Sequence, residues 1–246
     1  MGFFYNYDEV PQEGQPRKRG LARLWEMLGR DFMSFFVAGF LALVGMLPLA
    51  GGTVFALYVR RAALAPILGL VGGLIAGPQL CALADAILRS LRDDSGSWWR
   101  AYRQAWRRSV RAALLPGALG GALLSAQIFL LFSAGVLGSP APVGVALMTG
   151  LLLTLGLSSY LWPLLALTEL PFLPLIKDAA LLFLAQLPRS LAALAVVGLY
   201  WGVVLWFFPL AAPMLPLTNL WLPTLPAVML VYPGIERAFH VEEKPQ

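Results

Sequence analysis

Residues 62–88 read AALAPILGLVGGLIAGPQLCALADAIL, and residues 32–58 before them read FMSFFVAGFLALVGMLPLAGGTVFALY. Asp85 is the only charged side chain in either stretch. A transmembrane helix needs about 20 mostly apolar residues to cross a hydrocarbon core of about 30 Å, and both stretches exceed that. Backbone polar groups find no water in such a core, so only helices and closed barrels can span it. A barrel strand would alternate apolar and polar positions over about 10 residues. These runs do not alternate, so the fold class is all-α, a polytopic transmembrane helical bundle.

The rest of the chain agrees with its opening half. Of 246 residues, 59% are hydrophobic and 13% charged, whereas soluble domains carry about 25% charged residues. One water-soluble core cannot hide that much apolar surface, so the surplus faces lipid. Six spans are expected, at residues 32–58, 62–88, 112–137, 143–167, 190–212 and 220–235, forming one domain over 32–235 between polar tails, 1–31 and 236–246. Pro78 should kink the second span by removing a helix hydrogen bond. Gly138-Ser139-Pro140 should turn tightly between spans three and four. The sixth span is interrupted by Pro223, Pro226 and Pro233. Between Thr168 and Pro188, Pro171 and Pro174 leave a helix too short to cross, which should lie at the interface or half-buried. A second amphipathic helix is expected on the membrane surface over Leu21–Leu28. Met1–Arg30 holds no apolar segment with a cleavage site, so the first hydrophobic segment should stay in the membrane as a signal anchor.

Charge orients the bundle. Lysine and arginine favour the cytoplasmic side of short loops. With both termini inside, only Arg60 and Arg61 of the 18 basic residues fall on the outer side. The inverted arrangement would misplace all the others.

Helices in lipid associate by close packing, which small residues four apart permit. Span two carries Gly69, Gly73 and Gly77, preceded by Ala65, and span three carries Gly117, Gly121 and Ser125. These faces are expected to pack inside the bundle, with a homodimer face as the alternative.

The connection Ser95–Arg111 reads SGSWWRAYRQAWRRSVR. At helical spacing Trp98, Tyr102, Ala105 and Trp106 share one face, while Arg100, Arg103, Arg107 and Arg111 share another, with Trp99 beside them. Such a helix could lay its aromatic face into the lipid headgroups and offer arginines to anionic lipid. The sharper alternative is a docking surface for a cytoplasmic partner. Nucleic acid is not expected, because the same face would lie against the membrane.

Asp85 is a candidate intramembrane polar site, since a carboxylate inside a span often handles ions or substrate. Arg89 lies four residues on, where an i,i+4 ion pair would neutralise it. Glu169, Lys177 and Asp178 could converge with it. Cys81 has no partner cysteine and reads as packing, and His240 as a solvent-facing tail residue. No Ser/His/Asp set, metal-ligand cluster or phosphate loop is present, so neither an enzyme nor a cofactor is expected.

Several stretches resemble the YesL-like family of bacterial membrane proteins. They are Phe3–Tyr7, Leu28-Gly29-Arg30-Asp31-Phe32 leading to Leu47-Pro48, Gly77-Pro78, Trp98–Tyr102, and Lys177–Phe183 with Leu187–Leu191. In some members the first span runs almost directly into the Gly-Pro and the basic loop, whereas a full Gly-rich span intervenes here. The resemblance implies a multi-pass protein of a Firmicutes-type cytoplasmic membrane, an accessory component of carbohydrate uptake by ATP-driven importers. It supplies no site residues. Subunits of a sugar importer, besides the bilayer itself, are then the expected partners. A permease subunit would carry a Glu-Ala-Ala coupling loop, which is missing. A secondary transporter would need polar or charged groups near the midplane, and the spans offer few: Ser125, Gln127, Thr149, Thr154, Ser158 and Ser159. A structural or lipid-interacting protein is the third alternative.

Overall fold

The computed structural model describes residues 20–94, 98–168 and 170–239. Phe3–Tyr7, the basic run Arg17-Lys18-Arg19, Ser95–Ser97, Glu169 and His240 lie outside the described residues. Eight α-helices follow in order: α1 Leu21–Val59, α2 Leu64–Leu91, α3 Trp98–Val136, α4 Ala141–Leu167, α5 Phe172–Ala185, α6 Leu187–Trp206, α7 Leu215–Thr218 and α8 Trp221–Phe239. Five of them are long and apolar enough to cross a membrane. The pair 212–218 and 221–239, bent by 49°, makes a sixth if counted as one broken span.

The first three helices form an antiparallel layer with α2 in the middle. Two glycine faces of α2 make this possible. Gly72 lies on Leu49 of α1, where a Cβ would come within 2.5 Å of the Leu49 backbone nitrogen. On the other face, Gly69, Gly73 and Gly77 meet Gly117, Gly121 and Ser125 of α3 backbone to backbone. A Cβ on Gly77 would sit 2.6 Å from the Ala113 carbonyl oxygen, and one on Gly121 would sit 2.7 Å from Gly73 Cα. The glycine stripes are thus occupied within one chain. A hydrogen bond from Thr53 Oγ1 to the buried Ser125 Oγ, 2.8 Å, ties α1 to α3 across the layer.

Several features differ from the sequence expectation. Leu21–Leu28 lies in a short helical segment, as expected, set off from the rest of α1 by non-helical backbone at Asp31 (φ −117°, ψ 15°), but that segment is not laid on a surface by its apolar side. Its inward residues Arg23 and Met27 are buried, so its apolar face meets protein. The aromatic-basic segment is likewise the first part of α3, an unbroken helix of 39 residues. α6 ends at Trp206, six residues before the expected end, because the backbone turns ahead of Pro209. α2 runs uninterrupted through Pro78. The turn at Gly138 is built as expected, with φ +62°, which glycine adopts without a steric penalty.

The remaining helices cover the α1–α3 layer. α4 packs on α3 and α2, and α5 seals its apolar face (Leu175, Ala179, Leu182, Phe183) against α4. α8 crosses the assembly. Trp221 meets α1, Leu225 and Val228 join the cluster holding Leu83 and Ile87 of α2, and Val231 and Ile235 pack with Tyr160 and Leu164 of α4.

Alanine at Gly73 would overlap the Gly117 carbonyl, backbone that has nowhere to go. Gly73→Ala and Gly117→Ala should each destabilise by about 1–3 kcal/mol, as overpacked contacts do. Gly120→Ala, whose Cβ meets nothing within 4 Å, should be neutral or slightly stabilising. Thermal unfolding of the detergent-solubilised protein checks this ordering.

Candidate functional site

Charged side chains collect where α1 begins, α2 ends and α3 begins. A helix C-terminus leaves carbonyls without intrahelical partners and carries partial negative charge. Two arginines of α1 answer that need at the end of α2. Arg23 Nη2 donates to Leu91 O at 3.1 Å, and Arg30 Nη2 donates to Ser90 O at 2.8 Å. Both also reach Asp93 Oδ1, at 2.7 and 2.6 Å. Asp31, at the break in α1, accepts from Arg30 Nε at 2.9 Å and from Ser90 Oγ at 2.5 Å. Burial opposes ionisation of Asp93, but hydrogen bonds from Arg30 and Arg23, and their charge, outweigh it and hold the carboxyl below its ordinary value. Arg23, Ser90 and Asp93 were not singled out in the sequence, because a polar turn with two aspartates reads as solvated.

Asp85 is 3% exposed and pairs with Arg89 Nε at 2.6 Å, the i,i+4 arrangement of the sequence. A second guanidinium, Arg108 Nη2 of α3, approaches its other oxygen at 3.5 Å. The charged partners of Asp85 among the described residues are these two arginines, not Lys177 or Asp178. A carboxylate placed between a guanidinium of its own helix and one of α3 suits anchoring α3 on α2.

The aromatic-basic segment divides differently from expectation. Its aromatic side is not free to enter headgroups. Tyr102 is buried and donates its hydroxyl to Gln79 Oε1 at 2.7 Å, Ala105 is buried, and Trp106 packs on the same cluster. The periodicity found the inward face, but that face meets α2. Trp99 stays 51% exposed, stacked on Tyr102 with ring centres 6.3 Å apart. Arg100, Arg103, Arg107 and Arg111 are all exposed and form a basic ridge on a helix held rigidly from behind. The side chain of Trp98 lies outside the described residues.

A second feature lies between the α1–α3 layer and α4, α6 and α8: a cavity of about 210 Å³. Gly73, Gly77, Gly120 and Leu124 wall one side, and Ser158, Trp162, Leu194, Trp201 and Thr224 the other. No charged side chain among the described residues lines it. At its edge the α7–α8 break is built on Asn219, which is fully buried with φ +29°. Its Nδ2 donates to Phe36 O of α1 at 3.2 Å, and its Oδ1 accepts the Trp221 N–H at 3.0 Å, capping α8. Gly39 opposite has no Cβ, and the space is filled by Asn219 and Trp221. Asn219 thus satisfies the backbone on both sides of this break. Asn219 escaped the sequence survey because its proline-rich surroundings gave no span around it.

The Asp93 cluster carries a pH signature. Its folded carboxyl titrates below the unfolded value of 3.8, so its stabilisation is complete above that value and fades as pH falls through the folded one. Asp93→Asn should lower the thermal stability at neutral pH by about 1–3 kcal/mol. The gap to the wild type should close in acid, which melting curves across pH would reveal.

Compared with protein-family models, curated proteins and solved structures, the chain matches none of them.

Proposed function

We propose that this is a non-enzymatic, multi-pass protein of a bacterial cytoplasmic membrane that docks a partner at its charged, cytoplasmic end. The observation that carries this reading is the exposed arginine ridge of α3. A helix of 39 residues is about 58 Å long at 1.5 Å per residue. Even at a usual tilt of about 20° it outreaches a whole bilayer of about 40–45 Å. The ridge therefore stands clear of the hydrocarbon, and Tyr102 and Ala105 are turned inward, leaving Trp99 as the exposed aromatic beside the arginines. Four guanidiniums at helical spacing, fixed by the packing behind them, favour an acidic protein surface.

Orientation follows from charge. Arg60 and Arg61 sit in the α1–α2 turn, at the opposite end of α2 from the ridge, and the positive-inside preference supports both termini in the cytoplasm with the bent α7–α8 pair as a sixth span. The partner we propose is a subunit of an ATP-driven carbohydrate importer, and this part rests on the YesL-like resemblance alone. A self-sufficient transporter is less well supported, because the hydroxyl protons at the central cavity are engaged with their own helices and no charged side chain among the described residues lines it.

Affinity purification from native membranes in mild detergent, followed by mass spectrometry, tests the reading. Importer permeases or a solute-binding protein should co-purify, and charge reversal at Arg100, Arg103 and Arg107 should remove them. Clean isolation of the protein alone would end the docking proposal.

A further inference from the structure

The cavity at the heart of the molecule is lined by hydrocarbon even where the sequence supplies hydroxyls. Thr154 Oγ1 bonds Gly150 O at 3.0 Å, Ser158 Oγ bonds Thr154 O at 2.8 Å, Ser159 Oγ bonds Gly156 O at 2.7 Å, and Thr224 Oγ1 bonds Leu220 O at 2.6 Å. Each of these hydroxyl protons is spent on its own helix. An ordered water needs two to four polar partners, and a sugar needs more. A wall that is mostly hydrocarbon, with its hydroxyl protons already engaged, offers few. We propose that the cavity holds one acyl chain of a bilayer phospholipid.

Three further observations agree. The walls are smooth: glycines at 73, 77, 117, 120 and 121 face the indoles of Trp162 and Trp201, a surface that grips by dispersion and not by directed bonds. A void of this size forfeits contacts along its whole lining unless something apolar fills it. The cavity is not sealed, and α6, on its outer side, is held by α4, α5 and α8. The medium around that helix is acyl chain, the one apolar ligand present at bulk concentration beside a membrane protein. This assignment stands apart from the docking ridge, which lies at the charged end and shares no residue with the cavity.

The lining suggests its own probe. A side chain at Gly120 projects into open space, with no atom within 4 Å of its Cβ. Gly120→Leu fills the cavity from α3, and Ser158→Leu fills it independently from α4. Gly144→Leu, equally unobstructed but outside the cavity, is the matched control. The protein would be reconstituted in phosphatidylethanolamine–phosphatidylglycerol vesicles with a trace of phospholipid bearing a diazirine midway along one chain. Photolysis and peptide mass spectrometry should then find label on Leu124, Trp162 and Thr224. That label should be lost in whichever filled variant elutes and melts as a folded protein, and kept in Gly144→Leu. Label confined to the exposed outer residues Leu153 and Leu199, or cavity label that survives filling, would overturn the assignment.

Discussion

The contact of α2 with α3 is made by backbone. In lipid, helices gain nothing by escaping water from each other's company, so their attraction depends on how closely the main chains approach. Gly69, Gly73 and Gly77 against Gly117 and Gly121 bring the two main chains into direct contact along that seam. Everything else is hung on the resulting layer. Asp85 and Arg108 are brought together because α2 and α3 run side by side down to the charged end. Tyr102 reaches Gln79 for the same reason. The far wall of the cavity is the same glycine seam seen from its other edge.

The charged end shows how such a seam is finished where the apolar stretch runs out. Three helix termini meet there, and their free carbonyls and carboxylates are matched by guanidiniums from a neighbouring helix. Arginine suits this role because its planar fork can serve a carbonyl and a carboxylate at once. Arg30 does so with Ser90 O and Asp93. The ridge on the outer side of α3 is therefore presented by a stiff support, while the inner arginines are consumed in making it stiff. Basic residues within a few turns of one another serve opposite ends: some hold the fold, some face outward.

What was legible in the sequence divides along the same physical line. The glycine stripes and the Asp85–Arg89 pair follow from helical spacing within one segment, and the structure places both at that spacing. The helical, apolar character of the long runs was equally local. Arg108 beside Asp85, Arg23 and Arg30 on the end of α2, and Asn219 against α1 join residues far apart in the chain, and no periodicity announces them. The aromatic stripe of α3 is an intermediate case. Its period correctly separated an inward from an outward face, yet an apolar stripe does not say whether lipid headgroups or another helix will cover it. The cavity was wholly illegible, being a shape left between helices and not a property of any one.

The Asn219 side chain binds the carbonyl of Phe36, a partner 183 residues earlier in the chain. The notch at Gly39 that admits it is thus filled by a segment far downstream in the chain. During elongation α1 can settle against α2 and α3, its near neighbours in sequence, while its other flank stays uncovered. The last helix is the element that closes the molecule, and until it arrives the cavity has no complete boundary. The crossing helix is in this sense the keystone of the layer.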